Sequence, residues 1–144
     1  MLDTQIDLND TDTSMPRLID GKYLCSIDKA EVVASKSVEG NKNLMVIYKL
    51  AEDAESTIGS SISPGYQLRR YYALQPSEKN PDWDFKTDIA RLIDAAFGTS
   101  QGERPEFNAD TIAGLHGRQV IVTTKLVDGE MGLQNEVKSV LAVS

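Results

Sequence analysis

A long β-hairpin predicted over residues 21–50 constrains the fold of this chain more than any other feature. Its first arm alternates apolar and polar side chains, which is the pattern of a strand with one buried face. The apolar positions are Tyr23, Cys25 and Ile27. From Ala30 onward the alternation shifts by one residue, as a β-bulge produces where a sheet bends. After a turn around Gly40 the second arm covers residues 43–50, and the bulged pair predicts a curled sheet that later strands close into a small barrel.

The third strand is predicted over residues 65–74. Alternation places Leu68, Arg70 and Tyr72 on the core face and Arg69 and Tyr71 on the solvent face. An arginine on the core face is expected at a rim or paired with a carboxylate. The solvent face then carries an arginine next to a tyrosine.

An apolar stripe at helical spacing between residues 85 and 97 predicts the main helix. Asn80-Pro81 offers a cap followed by a first-turn proline, so the helix is expected to begin there, and Gly98 ends it. Trp83 is expected to pack where the helix begins, and stacking against a ligand is the alternative. A short helical turn is predicted over residues 108–115.

Residues 118–126 and 133–143 predict a final β-hairpin, so the expected order is three strands, a helix and two strands. This mainly β order is that of the OB-fold, a five-stranded, partly open Greek-key barrel with one α-helix between strands 3 and 4. A sheet covered by one helix in an α+β arrangement is the alternative. We expect a flexible acidic leader over residues 1–19 and a single OB-like domain over residues 20–144.

The chain is poor in the residue types that carry catalysis. With one cysteine, Cys25, and one histidine, His116, it can form neither an internal disulfide nor a Cys/His zinc site. Its turn and strand carboxylates match no recognised magnesium spacing; they are Asp28, Asp128, Glu130 and Glu136. We therefore expect no enzymatic activity, no metal and no cofactor. No apolar run approaches the roughly 20 residues of a membrane span, and the first residues show no basic region followed by an apolar stretch, so we expect a cytoplasmic protein with no membrane partner.

The net charge of −7 argues at first against a nucleic-acid partner, but the charge is unevenly distributed. Residues 1–16 carry four aspartates and no basic residue. Residues 21–50 carry five lysines against three acids, and residues 65–77 carry two arginines and no acid. An acidic protein with its cations gathered on the first three strands can still present a local basic surface.

A series of short strand and turn motifs lies between residues 21 and 138, within a matching stretch of about residues 17–143. It consists of Gly21-Lys22-Tyr23, Ala30, Ser35-Lys36, Gly40-Asn41, Leu44-x-Val46, Arg70-x-Tyr72, Ala96-Phe97-Gly98, Leu115-x-Gly117-Arg118-x-Val120 and Asn135-Glu136-Val137-Lys138. In order and spacing the series resembles a family of bacteriophage proteins that are encoded among replication and recombination functions and regarded as single-stranded DNA-binding proteins of OB-fold type. The resemblance implies non-catalytic, largely sequence-independent binding of single-stranded DNA in the host cytoplasm. The acidic leader departs from the family pattern, since such proteins more often carry their acidic segment at the C-terminus.

Binding of a single strand needs cations that follow the phosphates and flat side chains on which bases stack. In an OB-fold these come from the second and third strands and from the loops between strands 1 and 2 and between strands 4 and 5. The predicted nucleic-acid-binding residues are Lys36, Lys42, Tyr48, Lys49, Arg69, Arg70, Tyr71, Lys125 and Lys138. Two of them are ambiguous, because the strand of Tyr48 is apolar on both faces and Arg70 lies on the core face.

The expected partners are single-stranded DNA, with RNA as a second polynucleotide, and replication or recombination proteins of the phage or its host. An exposed edge strand would also allow a homo-oligomer. The alternative function is a phage protein-interaction module that binds a host factor or imitates DNA, which the acidic leader and the charge of −7 favour.

Overall fold

The computed structural model describes residues 5, 7–9, 15–129 and 132–143 of the 144-residue chain. The strands are β1 (Gly21–Ala34), β2 (Lys42–Leu50), β3 (Ala54–Glu55), β4 (Ser61–Ile62), β5 (Gln67–Ala73), β6 (Gln119–Gly129) and β7 (Gly132–Ala142). The helices are α1 (Lys86–Phe97) and α2 (Ala109–Gly114), which both precede β6. The fold is mainly β, and neither helix of the described residues has the length and apolar character that crossing a membrane requires.

β1 is the centre of a five-stranded antiparallel sheet in the order β5-β2-β1-β6-β7. It pairs with β2 along most of its length, and the register of this pair shifts between Ile27 and Lys29. The predicted hairpin and its β-bulge are therefore confirmed. The first half of β1 also pairs with β6, from Gly21 opposite Thr124 to Ser26 opposite Gln119. The bulge lets one long strand serve both halves of a bent sheet.

The two edge strands of the sheet, β5 and β7, approach each other along a line that we call the seam. Tyr66 Oη, just before β5, donates to Asn135 Oδ1 at 2.9 Å, and Arg70 Nη1 donates to the Lys138 carbonyl at 3.5 Å. Among the described residues no backbone ladder joins β5 to β7. The predicted closure into a barrel is therefore wrong. A groove of about 540 Å³ lies along the seam and is lined by residues of both edge strands.

The core lies between the inner face of the sheet and α1, which packs against β7 and β6. It includes Tyr48, Leu92, Leu115 and Val122, all with no exposed surface. Cys25 is also fully buried, as its place on the apolar face of β1 predicts. The core therefore lies on one face of the sheet, while Met45 and Ile47 of β2 are buried on the other face.

The main helix begins at Lys86 rather than at Asn80-Pro81, so the predicted start is wrong. The Asp84 carboxylate accepts a hydrogen bond from the Lys86 backbone N–H at 3.0 Å, and this local bond competes with earlier helical turns. The predicted C-terminus is confirmed, since Gly98 adopts a left-handed conformation with φ of 69°. The second helix starts where predicted, because the Asn108 side chain accepts the Thr111 N–H at 3.1 Å.

The chain before β1 enters the fold at Leu18, which is fully buried. Its N–H donates to Asn135 Oδ1 at 3.0 Å and its carbonyl accepts from Asn135 Nδ2 at 2.8 Å. Leu18 also forms an isolated bridge to Ser56, next to the short β3–β4 hairpin, which lies between the second and third predicted strands. Most of the predicted acidic leader, residues 1–4, 6 and 10–14, lies outside the described residues.

Candidate nucleic-acid interface

Three strands share one outward surface, which we call the outer face. Its residues follow from the register of the strands, because directly opposed residues in an antiparallel pair point to the same side of the sheet. Arg69 lies opposite Ile47, and Ile47 lies opposite Lys29. In the next row Tyr71 lies opposite Met45, and Met45 opposite Glu31. Lys49 stands in the row before these, opposite Gln67 and Ser26.

The middle of the outer face is apolar. Met45 and Ile47 point outward yet are only 8% and 7% exposed. Their neighbours on β1 and β5 carry long side chains whose apolar parts can lie over them, while the charged or polar ends reach water. These two apolar side chains are therefore covered, and a ligand on the outer face would meet the longer side chains of β1 and β5.

Arg69 and Tyr71 form the most accessible part of this face. Both are exposed, and Tyr71 keeps 46% of its surface in contact with solvent. Among the described residues Arg69 has no carboxylate within ion-pair distance. A free guanidinium next to an exposed aromatic ring offers a phosphate contact and a stacking surface together.

The other cations of the outer face are partly neutralised. Lys49 Nζ lies 3.2 Å from Asp28, and Lys29 Nζ lies 3.4 Å from Glu31. The side chains of both pairs are between 35% and 51% exposed. Exposed pairs of this kind contribute little stability, about 0–1 kcal/mol, so a phosphate can replace the carboxylate at small cost.

The groove at the seam continues the outer face from β5 to the β6–β7 hairpin. Arg69 and Tyr71 line it on one side, and Gln134, Glu136 and Lys138 line it on the other. Lys138 Nζ lies 3.3 Å from Glu136 in an exposed pair. Lys125 is exposed and stands opposite Glu136 in the hairpin. The structure therefore brings Arg69, Tyr71 and Lys138 together, with Lys125 next to them.

Two predicted site residues, Tyr48 and Arg70, make their main contacts with other residues of the protein. Tyr48 is fully buried, and its hydroxyl lies 2.6 Å from that of Tyr72, so it presents no surface to a ligand. Burial raises the pKa of both phenols. Arg70 lies 3.2 Å from Asp88 and over the ring of Tyr72, so its charge is already paired although the side chain borders the groove. Tyr48 therefore has no accessible surface for a nucleic acid, and the Arg70 guanidinium is held by Asp88 and the ring of Tyr72.

The tip of the first hairpin carries Lys36 and Lys42, which are both exposed. They lie beyond the last row of the outer face, where Asn43 stands opposite Ala73. Sequence reasoning did not select Lys29 as a site residue, although the shifted alternation after the bulge already placed it on the outward face. It also placed Trp83 in the core, whereas the structure leaves this side chain 40% exposed.

The resemblance to phage single-stranded DNA-binding proteins stays a prediction. A comparison of the chain with protein-family models found no match, and a comparison with curated protein sequences found none either. What supports a function is the arrangement of cations around the exposed ring of Tyr71 on the outer face.

Proposed function

We propose that the protein is a non-catalytic, largely sequence-independent single-stranded DNA-binding protein of OB type that acts in phage replication or recombination. The observation that carries the proposal is the exposed pair of Arg69 and Tyr71 on the outer face. Such a surface follows a single strand through its two repeating features, the phosphate charge and the base plane.

The order of the long strands supports an OB-type arrangement. The first long strand, β1, pairs with the second and the fourth, and the third and fifth meet at the seam. In OB-folds nucleic acid lies across the second and third strands, which here are β2 and β5. The outer face and the groove at the seam occupy this position.

Charge is consistent with binding despite the total of −7. Arg69 is unpaired among the described residues, and the exposed pairs of Lys49 and Lys138 can exchange their carboxylates for phosphates. Each phosphate neutralised in this way releases counterions, so binding should weaken steeply as salt is added.

The test is a fluorescence anisotropy titration with labelled poly-dT, duplex DNA and RNA at two salt concentrations. We expect poly-dT to bind more tightly than duplex, with a log–log salt slope of roughly −0.7 per phosphate contacted. Tyr71→Ala should weaken binding by about 5- to 150-fold, the equivalent of roughly 1–3 kcal/mol for a stacked base. Arg69→Gln should reduce the magnitude of the salt slope by about 0.7.

Lys86→Gln is the matched control for Arg69→Gln. It removes one exposed positive charge at the start of α1, away from the outer face, and should leave the salt slope unchanged. Failure of poly-dT to bind at low salt, or binding that does not respond to salt, would refute the proposal.

The alternative function, a protein-interaction module, has support of its own in exposed carboxylates away from the outer face. They are Glu52, Asp53, Glu55, Glu103, Glu106 and Asp110. A DNA-imitating protein would bind a basic nucleic-acid-binding protein and compete with DNA for it. Such competition, in the absence of any binding to poly-dT, would favour the alternative.

A further inference from the structure

Trp83 is not part of the core. It precedes α1, yet the residue that packs against the buried cluster there is Phe85. Trp83 lies outside that cluster and is 40% exposed, so the prediction that it packs at the start of the helix is wrong. Its backbone N–H donates to the Asn80 carbonyl at 3.1 Å, which fixes a turn rather than a helical start. An exposed tryptophan on a fixed turn needs another explanation.

Trp83 borders a cleft of about 370 Å³ between the tip of the first hairpin and the loop that follows β5. Its wall includes apolar groups from Val38 and Ala73 and the side-chain amides of Asn43 and Gln75. An indole face beside amide side chains is suited to a flat, polar-edged ring, because the face stacks while the Asn43 amide donates and accepts. The Gln75 amide can still donate, since only its oxygen is bonded to the Lys42 N–H. A nucleobase is such a ring.

The cleft is held open by hydrogen bonds between its two walls, one of which uses the lining residue Gln75. Gln75 Oε1 accepts from the Lys42 N–H at 2.9 Å, and the Leu74 N–H donates to the Lys42 carbonyl at 3.3 Å. These bonds attach the loop after β5 to the base of the hairpin tip. The two walls are thus preformed, which lowers the ordering cost of binding.

The cleft continues the outer face. Asn43 and Ala73 are opposite each other in the row after Met45 and Tyr71, and both line the cleft. Two residues along a strand span about 7 Å. A chain of nucleotides that passes over Tyr71 toward the hairpin tip therefore enters the cleft at its next step. Lys79, which is exposed, stands at the rim and can contact its phosphate.

We infer that the Trp83 cleft is a second base-stacking subsite for the same single strand. This inference rests on the proposed function and extends it, because it assigns the direction in which the strand leaves the outer face. The polynucleotide runs from the groove at the seam past Tyr71 and places a base on the Trp83 indole.

The test uses Trp83 itself, since it is the single tryptophan of the chain. Oligo-dT is titrated into the protein while tryptophan emission and the anisotropy of a labelled oligonucleotide are both recorded. We expect the emission to be quenched in step with binding, and Trp83→Ala to weaken binding by about 5- to 150-fold. Trp83→Phe, which keeps an aromatic ring, should retain most of the affinity.

Phe107→Ala is the matched control, because Phe107 is 39% exposed but lines a different groove, beside α1. It should leave binding of oligo-dT unchanged. The urea midpoint of each variant is measured to show that it is folded.

The outcomes separate the two proposals. Normal binding with unchanged Trp83 emission and unchanged affinity of Trp83→Ala would overturn the subsite and leave the proposed function standing. Absence of oligo-dT binding by the unaltered protein at low salt would overturn both.

Discussion

The side chain of Asn135 joins the chain before β1 to the seam, and its removal should cost much of the stability of the fold. Its oxygen accepts from the Leu18 N–H and from Tyr66 Oη, and its nitrogen donates to the Leu18 carbonyl, all between 2.8 and 3.0 Å. Leu18 is fully buried, so Asn135→Ala leaves two of its backbone groups without these partners. Each unsatisfied group costs roughly 1–3 kcal/mol, whereas the half-buried Tyr66 hydroxyl can turn to water. Allowing for some water in the vacated space, we expect a loss of about 2–4 kcal/mol.

Urea unfolding followed by far-UV circular dichroism measures this loss as a lower midpoint at an unchanged slope. Gln134→Ala is the matched control, because Gln134 is the exposed neighbour on the same strand and should shift the free energy of unfolding by less than about 0.5 kcal/mol. If Asn135→Ala is no less stable than Gln134→Ala, the hydrogen bonds of the Asn135 side chain do not stabilise the fold in solution and the reasoning fails.

Two further predictions concern titratable groups. The Arg104 guanidinium, which donates from Nε and Nη2 to the two oxygens of Asp94 at 2.8 Å, lowers the pKa of that carboxyl. Because the pKa of Asp94 is lower in the folded state, its ionised form stabilises the fold above the ordinary carboxyl pKa, and this stabilisation is lost as pH falls through the lowered folded-state pKa. The urea midpoints of the unaltered protein and Arg104→Gln should therefore converge below about pH 4. A gap that stays constant at acid pH would contradict this. Burial raises the pKa of the Cys25 thiol to about 11, so a thiol reagent at about pH 8 should react only after denaturant is added, and fast reaction of the native protein would count against the buried position.

Local patterns in the sequence were sufficient for the central hairpin and its bulge, because alternation and its shift are properties of one strand. They failed at the start of α1, where Asn80-Pro81 looked like a cap but the Asp84 carboxylate bonds the Lys86 N–H instead. The β3–β4 hairpin was missed because strands of two residues have no readable period. The approach of β5 to β7 without a backbone ladder depends on contacts such as Arg70 to Lys138, which no short pattern reports.

The candidate site shows the same division. Arg69 and Tyr71 face outward as alternation on their own strand predicts. Tyr48 was undecidable, because its neighbours Met45 and Ile47 are apolar on the opposite face and only the register with β5 shows which side the core occupies. Trp83 was misplaced because an aromatic residue ahead of an apolar stripe usually packs, and here Phe85 already fills that role.

The seam is also the place where the two edge strands of the sheet can move apart. β1 has a hydrogen-bonded neighbour on each side, whereas β5 and β7 have one each and touch through side chains. Separation of β5 from β7 would break no backbone hydrogen bond between strands of the sheet. The distance between these two edges therefore depends on a few side-chain hydrogen bonds across the seam.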